Sequence, residues 1–357
     1  MHSTLQGEDR LLRWLRRRLE RPLIGDDAAL LPASGPFAVT VDSQISGVHF
    51  APGLDAAAIA RRLLAVNLSD LAAMGALPTY AFLALAAAPE FDHRRFFRAL
   101  LAACARHRLR LAGGDLSRGP QGAAAAGAAL VATLTILGRK RRGARWLRRA
   151  AAAPGHRLWL GGTTGESAAG RLLIGAGARL SGGRVTLPPG WGAGAGRRRR
   201  PGLDEVAAAA RRAVRRHLEP SPQLELGQWL GRQQAGAAID VSDGVARDLH
   251  RLCHESRVGA RIAASGLPLA PDFPSLCAAL GVDAEELALA GGEDYVLLFT
   301  LPAGAAPPAR FGCRPIGAIT AGRRLLLEAR GAVRALPAAG WDHLAGHAGH
   351  GGHAGDR

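Results

Sequence analysis

The sequence predicts an α/β (α+β) fold divided between two domains. The chain has 357 residues, of which 48 % are hydrophobic, so it is long enough to bury two cores. Strand-like and helix-like stretches alternate along its first half, which is typical of an α/β fold. Residues 139–153, RKRRGARWLRRAAAA, then change abruptly to a basic, alanine-rich composition. We therefore predict an N-terminal domain at residues 1–142 and a C-terminal domain at residues 143–343.

The N-terminal half begins with a β-rich stretch followed by a helical one. FAVTVDS, residues 37–43, predicts a strand that ends on Asp42. Residues 55–75 predict a helix, because Asp55 can serve as its N-cap and Gly75 as its stop. The other elements predicted in this half are a helix at 91–109, an apolar segment that ends at Asp115 and a strand region at 123–138.

The C-terminal half repeats an order of strand, turn and helix. Residues 154–173 predict a strand, a Gly/Thr turn and a helix. Residues 237–256 predict a strand that ends on Asp240 and a helix that begins near Ser242. The remaining predictions are a turn and strand at 289–302, an exposed loop at 192–204 and a disordered, His- and Gly-rich tail at 344–357.

Composition excludes several classes of site. Lys140 is the only lysine, so a P-loop is excluded and Schiff-base chemistry is disfavoured. The four cysteines form no CxxC pair, which argues against a disulfide framework or a zinc site and favours a reducing cytoplasm. Residues 122–138 are apolar but rich in Ala and Gly and short for a membrane span. We predict a buried element there and no membrane segment.

The formal net charge of +17 is consistent with a nucleic-acid partner. However, the arginines are spread through the whole chain, and aromatic residues make up only 5 % of it. Specific nucleic-acid modules usually bring exposed aromatic residues or a fold signature. We therefore predict solvated basic faces rather than a nucleic-acid surface.

One local pattern recurs along the chain: an apolar run, small residues and then one or two carboxylates. It occurs at Asp26 and Asp27, Asp42, Asp115, Asp240 and Asp243, and Glu293 and Asp294. In addition, Asn67 and Asp70 lie three residues apart and share one face of a predicted apolar helix. Taken singly, each carboxylate could cap a helix or lie in an ordinary turn.

Taken together, these carboxylates predict a divalent cation. A desolvated negative charge needs compensation, lysine is nearly absent, and no arginine adjoins these positions in the sequence. Oxygen ligands without Cys or His spacing favour Mg²⁺ over zinc. Mg²⁺ is commonly shared with substrate phosphates, so a phosphoryl-transfer site follows. On this interpretation, Asp26 and Asp27 are adjacent because at least one of them faces the metal.

Eight short motifs follow one another between residues 24 and 343. They read IGDDAALL, VDSQISGVHF, AVNLSDLAAMGALP, LAGGDLSRGP, GTTGESAAG, AIDVSDGVARDL, LAGGEDYVLLFT and GWDH. In this order they resemble the thiamine-monophosphate kinases of the AIR-synthetase-like (PurM-like) superfamily. The resemblance implies a two-domain PurM-like fold, with an N-terminal mixed sheet with helices and a C-terminal α/β domain. It also implies a homodimer that uses several Mg²⁺ ions to transfer the γ-phosphoryl group of ATP to thiamine monophosphate.

The resemblance implies roles for individual residues as well. The positions that match metal ligands are Asp27, Thr40, Val41, Asp42, Asp70, Asp115, Asp240 and Asp243. Those that match ATP contacts are Gly114, Asp115, Arg149 and Ser242. Those that match contacts to thiamine monophosphate are His49, Glu293 and Trp341. Because the acceptor is itself a phosphate oxygen, catalysis would rest on positioning and charge neutralisation rather than on a strong general base.

The chain departs from the family pattern in two places. RRAAAAPGH at 148–156 stands where the family reads Arg-Ser-Gly-Ala-x-Pro-Gly-Asp, so the alignment that gives Arg149 its role crosses this departure. Val41 stands where Thr is common, so a ligand there survives only through its backbone carbonyl. These departures and the +17 charge leave a second hypothesis open: a divergent PurM-like protein that binds ATP and Mg²⁺ without this kinase activity and associates with RNA through its arginines.

Overall fold

The structure is a computed structural model that describes residues 29–33, 35–88, 90–119, 130–191, 203–233 and 235–341. Several sequence predictions lie outside these ranges: the Asp26–Asp27 pair, most of the loop at 192–204 and the tail at 344–357. Of the helices in the described part, none combines the length and the apolar character needed to span a membrane.

The described residues before residue 140 build a five-stranded sheet. Its strands are β1 Ala29–Ala33, β2 Gly35–Ile45, β3 Leu77–Ala87, β4 Arg110–Arg118 and β5 Val131–Arg139. They lie in the order β1-β2-β5-β3-β4, with β3 and β4 parallel and the other neighbours antiparallel. The mixed N-terminal sheet predicted from the sequence is therefore confirmed. Side chains alternate between the two faces, which is why Thr40 is buried and Val41 exposed.

Helix α1, Ala56–Ala73, is the central element between the first sheet and the second half of the chain. All its residues except Arg61 and Asp70 are buried, as expected for a helix that is covered on every side. Its predicted position is confirmed, and Asp55 stands at the predicted N-cap position, although its side chain makes no capping hydrogen bond to the helix. The Asp55 carboxylate turns away from the helix and accepts a 2.5 Å hydrogen bond from Arg95 Nε.

Helix α2, His93–Arg106, confirms the second predicted helix. Asp92 caps it by accepting a 2.9 Å hydrogen bond from the backbone N–H of Arg95. The helix is amphipathic: Phe96, Leu100 and Cys104, spaced four residues apart, are buried, and most of the opposite face is exposed.

The second half of the chain is built on a seven-stranded sheet. Its strands are β6 Arg157–Leu160, β9 Ala238–Asp240, β10 Gly259–Ala263, β11 Leu297–Leu301, β12 Arg314–Thr320, β13 Leu325–Ala329 and β14 Ala332–Ala335, while β7 Arg179–Ser181 and β8 Arg184–Thr186 form a separate hairpin. The order in the sheet is β14-β13-β10-β12-β6-β11-β9, and only the β10–β13 pair is parallel within the described residues. Strand β9 therefore lies at an edge and carries Asp240 at its end.

Helices cover this second sheet. They are α3 Glu166–Gly175, α4 Leu203–Leu218, α5 Leu224–Arg232, α6 Val245–Ser256, α7 Phe273–Leu280 and α8 Ala284–Ala290. The order of strand, turn and helix predicted for 154–173 is confirmed by β6 and α3. After β9, helix α6 begins at Val245, three residues later than predicted, because Gly244 has a φ of 111° that is not helical.

Two predicted strand ends are wrong. Strand β2 does not end on Asp42, because its pairing with β5 continues to Ile45. Strand β4 does not end at Asp115 either, because its parallel pairing with β3 continues to Arg118. Both aspartates therefore lie inside strands, with their backbones held by the neighbouring strand.

Two clusters of buried hydrophobic residues form the core. One lies around the second sheet and helices α3, α4 and α6, while the other lies around α1 and the first sheet. The second cluster also includes Trp159, Leu226 and Phe299, which come from the C-terminal half. The boundary at residue 142 falls between β5 and β6, and the division into two domains there stays a prediction.

Candidate active site between the two sheets

A cavity of about 450 Å³ lies between the first sheet, helix α1 and the helices of the second half. Both halves of the chain line it, for example Val66 of α1 and Arg171 of α3. Eight of the residues singled out in the sequence lie on its wall: Asp42, His49, Asp70, Asp240, Ser242, Asp243, Glu293 and Trp341. The fold thus brings together residues that lie far apart in the sequence.

Strand β2 and helix α1 supply the first two carboxylates. Asp42 follows Thr40 on the same face of β2, and its backbone N–H donates to Asn67 Oδ1 at 3.2 Å. Thr40 is buried, and its Oγ1 donates to Asp70 Oδ2. Asn67 and Asp70 both bond to β2, so the shared helix face predicted from their spacing is confirmed.

Asp240 supplies the third carboxylate from the end of strand β9. It is only 3 % exposed, and its backbone pairs with Leu297 of β11. Ser69 of helix α1 donates from Oγ to Asp240 Oδ2 at 2.7 Å. Since a buried carboxylate needs hydrogen-bond donors, this contact stabilises Asp240 at the cavity wall.

Asp248 holds the turn between β9 and α6 in place. Its buried carboxylate accepts hydrogen bonds from the backbone N–H groups of Ser242, at 3.1 Å, and Asp243, at 3.0 Å. Burial raises the pKa of Asp248 to about 7. No arginine adjoins Asp243 in the sequence, yet Arg251 reaches it from α6 and donates to Asp243 Oδ2 at 2.5 Å and to Asp248 Oδ1 at 3.1 Å. Arg251 therefore neutralises part of the negative charge at this turn.

The Gly-Gly-Glu-Asp-Tyr turn places Glu293 on the wall with an unusual backbone. Glu293 and Tyr295 have φ angles of 58° and 52°, which residues other than glycine rarely adopt and which cluster at functional sites. The Glu293 N–H donates to the Ser242 carbonyl at 2.6 Å. This bond ties the Glu293 turn to the turn that carries Ser242 and Asp243.

Charges around Glu293 favour its ionised form. Burial acts to raise the pKa of the Glu293 carboxyl, but nearby cations, Arg62 first among them, more than offset it, so this pKa lies below its ordinary value. Burial, reinforced by Arg62, lowers the pKa of His217 to about 3. The His217 imidazole, whose Nδ1 lies 3.5 Å from Glu293 Oε2, is therefore neutral at pH 7.

His49 and Trp341 form two further parts of the wall. His49 Nδ1 accepts a 3.1 Å hydrogen bond from the Ile45 N–H, which places the proton of a neutral imidazole on Nε2. The Trp341 side chain is 46 % exposed, and its backbone N–H donates to the Asp243 carbonyl at 3.0 Å. Gly340 has a φ of 149°, and a Cβ there would lie 2.2 Å from the same carbonyl. Only glycine allows this approach.

Five predicted residues do not line the cavity: Thr40, Val41, Gly114, Asp115 and Arg149. Thr40 lies behind Asp70, to which it is bonded. The Val41 side chain is 58 % exposed on the opposite face of β2, so its backbone carbonyl is the only group left to serve as a ligand.

Gly114 and Asp115 lie on β4, the edge strand of the first sheet. Both are exposed, and Asp115 Oδ2 accepts a 2.9 Å hydrogen bond from Ser117 Oγ. Gly114 has a φ of 154°, and a Cβ there would lie 1.9 Å from the Leu83 carbonyl oxygen. The close packing of β4 on β3 therefore requires glycine at this position.

Arg149 lies in a 3₁₀ turn, Arg149–Ala151, at the start of the second half. The turn is tied to helix α6, because the Arg149 carbonyl accepts a 2.6 Å hydrogen bond from Ser256 Oγ. The Arg149 charge also acts to lower the pKa of Asp248. Arg149 is thus close to the Ser242–Asp243 turn, although it lies outside the cavity wall.

Among the residues that line or support the cavity, the sequence prediction missed Arg62, Arg171, His217, Arg251 and Tyr295. For Arg62 a signal was present, because it stands in a helix of mainly apolar residues, and an arginine buried there must find acceptors. His217 and Arg171 come from segments that carry no such signal.

The carboxylates on the cavity wall suit Mg²⁺ ions that also bind phosphate groups. Within the described ranges, no group of three or more His, Cys, Asp or Glu side chains is arranged to hold a metal ion by itself. The wall nevertheless carries five carboxylates, namely Asp42, Asp70, Asp240, Asp243 and Glu293. Mg²⁺ is commonly bound by one or two carboxylates, with waters and substrate phosphates as its other ligands. The cavity therefore fits Mg²⁺ ions that are shared with phosphates, and does not fit an all-protein cage.

The chain is similar in sequence and fold to known proteins of one family. A family model described as AIR synthase related protein, N-terminal domain, matches residues 25–140. The solved structure of AaThiL complexed with AMPPCP and TMP has a TM-score of 0.78 and 26 % identity, covering 96 % of this chain and 99 % of that one. A thiamine-monophosphate kinase from Stenotrophomonas maltophilia K279a has a TM-score of 0.64 and 34 % identity, covering 89 % and 95 %.

A curated relative extends the similarity at higher identity. The chain is 38 % identical over 287 residues to the thiamine-monophosphate kinase of Salmonella typhimurium, and the match covers 78 % of this chain and 76 % of the relative. The chain has the PurM-like fold that its sequence motifs imply. The chain therefore belongs to the thiamine-monophosphate kinase family.

Proposed function

We propose that this chain transfers the γ-phosphoryl group of ATP to the phosphate of thiamine monophosphate, giving thiamine diphosphate and ADP. The observation that carries the proposal is the cavity, whose wall collects eight residues named from the family's motifs. The membership of the family and the similarity to AaThiL, which binds AMPPCP and TMP, support the same reaction.

On this proposal, His49, Glu293 and Trp341 bind thiamine monophosphate. Trp341 offers an exposed aromatic face to the rings of thiamine, and the ionised Glu293 carboxylate can accept hydrogen bonds from the aminopyrimidine or face the positive thiazolium. His49 presents Nε2–H, a donor suited to a phosphate oxygen.

ATP is bound, on this proposal, by Gly114, Asp115, Arg149 and Ser242. The guanidinium of Arg149 and the backbone around Gly114 are groups that suit phosphate oxygens. Ser242 stands in a turn that Asp248 and Glu293 hold by backbone hydrogen bonds, so its position is fixed before substrate arrives.

The residues that would hold Mg²⁺ are Asp27, Thr40, the carbonyl of Val41, Asp42, Asp70, Asp115, Asp240 and Asp243. When bound, Mg²⁺ supplies charge neutralisation to the phosphate groups during transfer. The protein orients these ligands through Thr40, Asn67 and Ser69. The attacking phosphate oxygen is already deprotonated at neutral pH, so no side chain on the wall needs to act as a strong base.

We also propose that the chain acts as a homodimer through the outer face of its first sheet. On that face Val41, Thr135 and Phe82 lie side by side across three neighbouring strands. Val41 is 58 % exposed and Phe82 is 40 % exposed. An exposed apolar sheet face of this kind fits a second copy of the same surface.

The cysteines support a cytoplasmic location for this enzyme. All four are free, and Cys104, Cys253 and Cys277 are buried. Burial raises the pKa of the Cys253 thiol to about 12, so it stays protonated. Free buried thiols of this kind suit a reducing compartment.

The decisive test is an assay of the purified protein with ATP, Mg²⁺ and thiamine monophosphate, in which mass spectrometry identifies the product. We expect thiamine diphosphate and ADP in equal amounts, and no product after EDTA is added. Binding of ATP and Mg²⁺ without thiamine diphosphate would contradict the proposal and favour a non-catalytic member of the superfamily.

A further inference from the structure

The most unusual charged residue near the cavity is Arg62, which lies on the central helix α1 and is completely buried. An isolated guanidinium would be very unfavourable in such a place. Its immediate neighbour Arg61, by contrast, is 30 % exposed and pairs with Glu219 at 2.7 Å. The two arginines therefore have different partners, and Arg62 reaches the cavity wall through its bond to Glu293.

All three nitrogen atoms of the Arg62 guanidinium have an acceptor. Nε donates to Gln44 Oε1 at 3.0 Å, Nη1 donates to the His217 carbonyl, and Nη2 donates to Glu293 Oε1. The His217 carbonyl belongs to the last turn of α4, where carbonyls lack helical partners and carry the negative end of the helix dipole. Arg62 thus joins β2, α4 and the Glu293 turn.

Glu293 needs such a cation because of what surrounds it. Four aspartates share the cavity wall with it, and their charges disfavour a fifth carboxylate. His217, 3.5 Å away, is neutral for the reason given above, and Arg171 and His49 lower the pKa of Glu293 less than Arg62 does. Arg62 is therefore the principal countercharge of Glu293, and the bond from Nη2 also sets the direction of its carboxylate.

We propose that Arg62 is a positioning residue for the acceptor, thiamine monophosphate. It keeps the Glu293 carboxylate negatively charged and fixes its orientation, so that this carboxylate faces the thiamine rings, which carry a positive charge and N–H donors. Arg62 does not line the cavity and acts only through Glu293. A lysine could supply the charge but not the three directed hydrogen bonds that a guanidinium makes here. The inference rests on the proposed function, because it assumes that thiamine monophosphate is the acceptor.

The test compares Arg62→Met, Arg62→Lys and Glu293→Gln with wild type, with separate KM values for ATP and thiamine monophosphate. We expect Arg62→Met to raise the KM for thiamine monophosphate about tenfold or more, while the KM for ATP stays within about twofold. Arg62→Lys should recover part of the loss. Arg61→Met is the matched control and should leave both KM values unchanged.

A double variant separates positioning from general damage to the fold. Because Arg62 acts through Glu293, the variant Arg62→Met/Glu293→Gln should have the same KM for thiamine monophosphate as Glu293→Gln alone. It also removes both charges of the Arg62–Glu293 pair, so that neither is left without its partner, and it is expected to fold even if Arg62→Met does not. Isothermal titration of each folded variant with thiamine monophosphate gives the same comparison without turnover.

Three results would overturn the inference. They are an unchanged KM for thiamine monophosphate in Arg62→Met, an equal rise of both KM values, and additive effects in the double variant. Wild-type protein is assayed first, since absence of thiamine diphosphate there contradicts the proposed function itself. Turnover by wild type with any of the three results above contradicts only the role of Arg62.

Discussion

Ser69 on helix α1 donates a 2.7 Å hydrogen bond to Asp240 at the end of strand β9, and so joins the two halves of the chain at the cavity wall. Both residues are buried. The bond makes the position of Asp240 depend on a helix that belongs to the other predicted domain. The site can therefore form only when the two halves of the chain pack against each other.

Removing this bond should therefore destabilise the protein. Ser69→Ala removes one hydrogen-bond donor from a buried carboxylate, and we expect the free energy of unfolding to fall by about 1–3 kcal/mol. Urea denaturation of wild type and variant measures the change. Ser181→Ala, at the exposed end of strand β7, is the control and should unfold like wild type. Equal stability of the Ser69 variant would show that the bond contributes nothing.

Asp70→Asn should separate chemistry from folding. The amide oxygen of Asn can still accept the hydrogen bond from Thr40, so the fold should be retained, but the charge that would hold Mg²⁺ is lost. We expect kcat to fall by about a hundredfold or more, with an unchanged circular dichroism spectrum. Glu90→Gln, at an exposed position, is the control. An unaltered rate would remove Asp70 from the set of metal ligands.

Gly114→Ala tests the edge strand where ATP is proposed to bind. The added Cβ would lie 1.9 Å from the Leu83 carbonyl oxygen, so β4 must move away from β3. We expect a higher KM for ATP and a loss of stability of about 1–3 kcal/mol. Gly304→Ala, where a Cβ meets no atom within 4 Å, should change neither quantity. A variant that keeps both the wild-type KM and the wild-type stability would contradict the strand geometry.

Phe82→Glu should separate the proposed dimer. A carboxylate in the row formed by Val41, Thr135 and Phe82 would be desolvated in a dimer that buries this face. Light scattering coupled to gel filtration should report a dimer for wild type and a monomer for the variant. Leu101→Glu, on the exposed side of α2, should remain dimeric. A wild-type monomer would refute the proposed interface.

Asp294 should make stability depend on pH. It is fully buried and accepts hydrogen bonds from the backbone N–H groups of Gly165, at 2.9 Å, and Ser167, at 3.4 Å. Burial raises its pKa to about 7 from 3.8, so the folded protein binds a proton that the unfolded chain releases above about pH 4. This contribution to stability is fully present below the unfolded pKa and is lost as the pH rises through 7.

The measurement for Asp294 is urea denaturation at pH 5 and pH 8. Wild type should lose more unfolding free energy over this range than Asp294→Asn, whose side chain does not titrate. The comparison between the two proteins isolates Asp294 from the other carboxyls. The same pH dependence in both would show that Asp294 does not carry a raised pKa.

Periodicity and motif order were sufficient to predict helices α1 and α2, strand β9 and eight of the residues that line the cavity. They failed at Asp42 and Asp115, because the point where a strand stops is decided by pairing with its neighbours and not by its own residues. They also did not predict which arginines neutralise the negative charges of Asp243 and Glu293. Arg251 and Arg62 reach these carboxylates only after folding. The apolar helix around Arg62 indicates that this arginine needs acceptors, but it does not indicate which ones.

The hydrogen bond from the Trp341 N–H to the Asp243 carbonyl has a consequence for protein synthesis. The wall of the cavity takes residues from position 42 onward, yet its last side is supplied by residue 341. Domains generally begin to fold from the N-terminal side while the ribosome is still adding residues. In this chain the first sheet can form early, but no nascent chain shorter than 341 residues can hold the complete cavity. A nascent chain therefore cannot present the finished cavity to substrate until position 341 has left the exit tunnel.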